Sequence, residues 1–184
     1  MAIGRGEKTA TTGPNTAADQ PAAPGDDALA LLHPWPLEDR PGFLIRRLHQ
    51  IHVALFAEIC AAHKVTPLQY SLLSALCACD SADQTTLAAM VALDRTTTTG
   101  ALKRLEARGL VQRGKSAEDR RSHRCRLTVA GRALHGAMEA DARRAHAQTL
   151  APLGVEDGAA LVALLKRVVA AFGDRGEPPT LPAF

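Results

Sequence analysis

The stretch 84–129, QTTLAAMVALDRTTTTGALKRLEARGLVQRGKSAEDRRSHRCRLTV, constrains the fold of this chain more than any other. Its apolar residues first repeat with helical period, over about 84–91 and again over about 95–108. Gly109 is placed to end the second helix. Two short runs follow, LVQRG (110–114) and CRLTV (125–129), which read as strands, and the charged run KSAEDRRSHR between them reads as the loop of a hairpin. Upstream, a helix is predicted over about 43–62. A second runs from Pro67, with Thr66 as N-cap, to about Cys79. Residues 80–83 read as a polar break. Downstream come a long helix, about 128–150, a break at Pro152 and Gly154, and a last helix over about 156–172. The order α-α-α-α-β-β-α-α is mainly α and contains a winged helix-turn-helix, three helices and then a two-stranded wing, over about 64–128. In that arrangement the second helix of the pair enters the major groove of DNA.

The rest of the chain sets the boundaries. Of the 184 residues, 46% are apolar, so a packed core is expected. The domain is read as 41–174, between an N-terminal tail (1–40) and a C-terminal tail (175–184). Residues 1–27 read as disordered from composition. The stretch 33–42 is too rich in proline for a helix, although Trp35 and Leu37 give it docking groups. No run approaches the roughly 18 apolar residues of a membrane span. No basic start followed by an apolar run marks a signal peptide. Cys60, Cys77, Cys79 and Cys125 have no metal-ligand or framework spacing, and are read as reduced thiols of a cytoplasmic protein.

The net charge of +3 hides an uneven distribution. Residues 95–126 carry ten basic and three acidic side chains, a local charge of +7, which leaves −4 for the remainder. Such a block fits a polyanionic partner; the simpler reading is a solvated face. The helix at about 95–108 decides between them. At about 100° per residue, Thr98, Ala101, Leu102 and Leu105 share one side and form a core face. Thr96, Thr97, Gly100, Lys103 and Arg104 lie opposite, with Thr99 at the edge. Threonine is a poor helix former, but its hydroxyl reaches phosphates or base edges and its methyl meets a thymine methyl. Gly100 allows close approach, and Lys103 and Arg104 reach phosphates or guanines. Capping alone does not require four threonines. The hairpin holds Arg120, Arg121, Arg124 and Arg126 around a polar tip, and an arginine on such a tip can enter the narrow minor groove.

These residues resemble the MarR family of winged-helix transcription regulators over about 43–172. The most specific match is Glu118-Asp119-Arg120-Arg121-Ser122 through Leu127-Thr128 and Gly131, which is similar to the family's wing pattern D-x-R followed by L-T. Leu105, Gly109, Leu110 and Val111 match the end of its recognition helix. The resemblance implies a homodimer, with an α-helical dimerisation region formed by helices about 43–62 and 128–172, on a pseudo-palindromic DNA site. It also implies that Arg121 enters the minor groove and that Asp119 holds the wing. The four threonines with Gly100 depart from the usual pattern and bear on base preference.

Family members commonly release DNA on binding a small aromatic acid between the dimer region and the DNA-binding lobe. In the first helix Leu44, Leu48, Ile51, Leu55 and Ile59 form an apolar stripe, with His52 in its middle and His49 at its edge beside Phe56. Such a histidine is either a core residue bonded to a carbonyl or a pocket donor. Tyr70, early in the second helix, can face the same space. The stretch FLIRRLHQIHVALFAE (43–58) is similar to the first helix of the family's nicotinate-pathway repressors, which answer to hydroxylated nicotinic acid. This implies a small pyridine carboxylate as effector, with His49 and His52 as contacts and Arg46 as a carboxylate partner, although Arg46 lies off the apolar face. No cofactor is expected.

Four other readings compete. His49, His52, His135 and His146 allow metal sensing, but no further ligand completes a set. Cys60 is the best placed for peroxide sensing, but nothing marks it as activated. A protein-binding winged helix needs no basic block. An enzyme is not expected, because no nucleophile elbow, phosphate loop or complete metal set is present.

Overall fold

The computed structural model describes residues 36–115 and 123–173. Six α-helices and three strands are present among them. Helix α1 (Pro41–Ile59) starts with proline at its first position, where the missing N–H costs nothing. A 3-10 turn (Leu37–Asp39) precedes it, and another (Ala61–His63) follows. Helix α2 (Pro67–Cys79) carries a full capping box: Thr66 Oγ1 accepts from Gln69 N, and Gln69 Oε1 accepts from Thr66 N. Strand β1 (Ser81–Asp83) leads into α3 (Gln84–Met90), and α4 (Arg95–Ala107) completes the helix-turn-helix. The wing strands are β2 (Val111–Lys115) and β3 (His123–Leu127). Helix α5 (Val129–Leu150), a 3-10 turn (Ala151–Leu153) and α6 (Gly154–Gly173) finish the order. The fold is mainly α, with a winged helix-turn-helix, as the residue pattern predicts.

Residues 81–83, read from sequence as a polar break, form the third strand of the sheet. The strand order is β1-β3-β2, antiparallel, with Ala82 opposite Cys125 and Arg113 opposite Cys125 on the other side. Ala82 and Cys125 are buried, so this three-residue strand is fixed by packing and by the backbone ladder rather than by propensity. The core gathers Phe56, Leu72, Leu73, Leu76, Leu87, Leu102, Leu105 and Met138.

The apolar stripe of α1 does not all turn inward. Phe56 is buried, but Leu44 and Ile51 are about half exposed, as is Leu37, so the docking expected of Leu37 is not seen. Trp35 lies outside the described residues. Along α6, Leu164, Val168, Val169 and Phe172 are also exposed. Within one chain, α1 and α6 therefore leave apolar faces uncovered.

The wing joins the long helix through a tight seam. Thr128 caps α5: its Oγ1 accepts from Gly131 N at 3.0 Å and donates to Gly109 O at 2.7 Å. Thr128 N donates to Leu110 O. A Cβ on Gly131 would fall inside the Leu110 carbonyl. The L-T-x-x-G run is thus the joint between α4, the sheet and α5.

Candidate DNA-binding surface and effector cleft

Helix α4 is buried on one side only. Thr98, Ala101, Leu102 and Leu105 have no exposed surface, whereas Thr96, Thr97, Lys103 and Arg104 are exposed. The helical-wheel expectation for all eight is met. Asp94 caps the helix, its Oδ1 accepting from Thr97 N at 2.8 Å. The Thr97 hydroxyl and amide together hold the Asp94 carboxyl below its usual range.

Besides Thr97 at the Asp94 cap, two further predicted contacts are engaged inside the protein. Thr99 Oγ1 donates to Gln84 Oε1 at 3.0 Å, tying α4 to the start of α3. Arg124 donates to Ser81 Oγ at 3.0 Å and to Ser81 O at 2.7 Å, which fastens β3 to β1. Gly100 is open: a Cβ there would meet only Arg104 Nη1, at 3.6 Å. Arg113, counted in the basic block, lies 3.1 Å from Glu106 Oε2. Asp119, Arg120 and Arg121 lie outside the described residues.

On the other side of the lobe, an open cleft of about 490 Å³ lies between α2, the end of α3 and α5. Tyr70, Ser71, Ser74, Met90, Ala92 and His146 line it. His52 stacks on His146 behind this cleft, with ring centroids 4.6 Å apart and planes 22° apart. His52 Nδ1 lies 3.0 Å from Thr149 Oγ1, and that hydroxyl donates to Ala145 O at 2.8 Å. The hydroxyl proton is thus committed, so His52 Nδ1 carries the ring proton and Nε2 is left as an acceptor. Burial, then the neighbouring His146 and His49, hold the His52 imidazole below its ordinary value, which favours this neutral form.

The remaining predicted effector residues divide. Tyr70 lines the cleft and stacks on His135, 5.2 Å between centroids and nearly parallel. Burial pushes its phenol upward, so it stays a donor. Phe56 is 1% exposed and sits beneath, 5.8 Å from Tyr70 and 6.0 Å from His52. It supports the cleft wall from the core and does not line it. His49 is exposed. Arg46 is exposed over the Phe43 ring, 5.6 Å from its centroid, and does not line the cleft. Sequence reasoning missed His146 and Thr149 as parts of this site. Their signal was available: Met138, Ala142 and Ala145 form the buried line of α5, and both residues flank it.

Among the described residues no three His, Cys, Asp or Glu side chains converge as a metal site. Burial raises the Cys60 and Cys125 thiols, the reverse of activation. No helix among the described residues is long and apolar enough to cross a membrane.

A one-sided helix in a helix-turn-helix, with a sheet beside it and a cleft behind it, defines a winged-helix regulator. The sequence pattern of the MarR family matches residues 65–123. The HTH-type transcriptional repressor NicR of Pseudomonas putida is 31% identical over 136 residues, 74% of this chain and 86% of NicR. A probable transcriptional regulator from Pseudomonas aeruginosa superposes with a TM-score of 0.69 at 36% identity, covering 72% of this chain and 99% of that one. BpsR of Bordetella bronchiseptica, whose DNA binding is regulated by 6-hydroxynicotinic acid, superposes with a TM-score of 0.69 at 31% identity, covering 73% and 96%. The chain belongs to the MarR family. Members of this family are transcriptional regulators, not enzymes, and act as dimers.

Proposed function

We propose that this chain is a transcriptional repressor that binds a pseudo-palindromic operator as a homodimer and releases it on binding a small aromatic or pyridine carboxylate such as 6-hydroxynicotinate. The observation that carries the DNA part is α4: four residues fully buried on one side, and two threonines with two cations exposed on the other. Thr96, Thr97, Gly100, Lys103 and Arg104 read the major groove, and Arg120 and Arg121 of the wing reach the minor groove, with Asp119 holding that loop. Thr99 and Arg124 act indirectly, through Gln84 and Ser81. The exposed apolar side chains of α1 and α6 are covered by the second protomer.

The effector part is supported by the cleft and by the likeness to BpsR, whose DNA binding is regulated by 6-hydroxynicotinic acid. In the neutral form, His52 Nε2 accepts a hydrogen bond from a ring hydroxyl or ring N–H. It is not a carboxylate partner. Tyr70 brings a phenol to the cleft wall, beside Ser74, whose Oγ lies 3.0 Å from His135 Nε2. A pyridine acid that both donates and accepts suits this pair of chemistries. His49 and Arg46, exposed in one chain, enter the site only where the second protomer closes over α1.

The DNA part is tested by measuring operator affinity as salt is raised. A steep linear fall of log K with log[salt] is expected from several phosphate contacts. A flat dependence would favour the protein-binding reading of this fold.

A further inference from the structure

Arg108 stands at the C-terminal cap of α4, and its side chain reaches back to a turn far earlier in the chain. Its Nη1 donates to Lys64 O at 2.6 Å and its Nη2 to His63 O at 3.1 Å. That turn joins α1 to α2. His63 ends the 3-10 turn Ala61–His63, and Lys64 is left-handed, with φ 53° and ψ 43°. The turn is also held from α5. His63 Nε2 lies 3.0 Å from Asp141 Oδ2, while Arg144 Nη2 donates to Asp141 Oδ1 at 3.1 Å. One continuous set of bonds therefore runs from the end of α4, through the backbone at 63–64, to α5. Arg108 belongs to the basic block by sequence, yet both its terminal nitrogens are already committed to carbonyls.

We propose that Arg108 is a positioning residue for DNA binding, fixing the tilt of α4 against the α1–α5 frame and so the separation of the two recognition helices in the dimer. This rests on the DNA-binding reading above. The leverage is geometric. At about 1.5 Å per residue α4 is about 20 Å long, so a tilt of about 10° at its C-terminal end moves the reading end by about 3 Å. Half-sites are read in register across the two-fold axis, so such a shift is felt as wrong spacing. Arginine suits the task because its planar fork serves two carbonyls at once, which a lysine ammonium does not reproduce.

The test uses the full chain, R108A, R108K and K103A, with operator duplexes of natural spacing and with one base pair inserted or removed. Affinity is read by fluorescence anisotropy across a salt series, beside thermal melting of each protein. For R108A the expected loss on the natural operator is about tenfold, comparable to one mismatched base pair. Its salt slope stays that of the wild type, and its preference among spacings flattens. R108K behaves similarly in milder form, and stands as the readout if R108A does not fold. K103A is the contrast: a shallower slope with the spacing preference kept. A salt slope lowered by about one contact in R108A would make Arg108 a phosphate ligand and overturn the proposal. Unchanged affinity and spacing preference would overturn it equally. Should the wild type itself bind none of the duplexes, the DNA reading fails and the positioning role falls with it.

Discussion

His52 of α1 lies face to face with His146 of α5, 4.6 Å between ring centroids, and this stack joins the two helices behind the cleft. Protonating either ring would place a cation against its neighbour, with His49 also close. Because the folded value of His52 is lowered, the unfolded chain takes up that proton at higher pH than the folded one. The stability given by neutral His52 is therefore intact above the unfolded value, 6.5, and is lost as pH falls below it toward the folded value. Melting temperature should drop more steeply between about pH 7 and 5.5 in the wild type than in His52→Ala. The same variant should keep DNA binding and lose most of its effector response. A full response would return His52 to a core role.

Gly100 tests whether α4 has traded stability for approach. Glycine within a helix costs about 0.5–1 kcal/mol relative to alanine, and the fold has room for the Cβ. Gly100→Ala should therefore raise the unfolding free energy by about that amount while weakening operator binding. Greater stability with unchanged affinity would show that Gly100 does not face DNA.

Gly131 is the opposite case. Its Cβ would overlap the Leu110 carbonyl, a backbone atom held by Thr128 N, so the wing seam must open. Gly131→Ala should destabilise by about 1–3 kcal/mol, the usual cost of overpacking, seen as a lower denaturant midpoint. A midpoint equal to that of the wild type would mean the seam yields freely.

Arg121 carries the wing's part of the account. Arg121→Ala should weaken operator binding by about 1–3 kcal/mol and leave the dimer intact by size-exclusion chromatography. Equal affinity would remove the wing from recognition.

Legibility in the sequence followed the number of residues that share a constraint. The buried quartet of α4 repeats at helical spacing, so Thr98 was as readable as Leu102 despite its hydroxyl. The Thr66-Pro67 start of α2 was equally plain, because a capping box is local. Strand β1 was not, since three residues carry no period and Ala82 is placed by its pairing with Cys125. The cleft proposed for the effector was half legible. His52 and Tyr70 announce themselves within their own helices, whereas His146 acquires its role only when α5 crosses α1. The internal bonds of Thr99 and Arg124 were hidden for the same reason: their partners, Gln84 and Ser81, lie 15 and 43 residues away.

The most direct test is a fluorescence-anisotropy titration of the full chain against the DNA upstream of its own gene, at one moderate salt concentration, with and without 6-hydroxynicotinate. Tight binding that the acid releases is the predicted result. Tight binding that persists at saturating acid would contradict the effector assignment, and no specific binding in either condition would contradict the regulator itself.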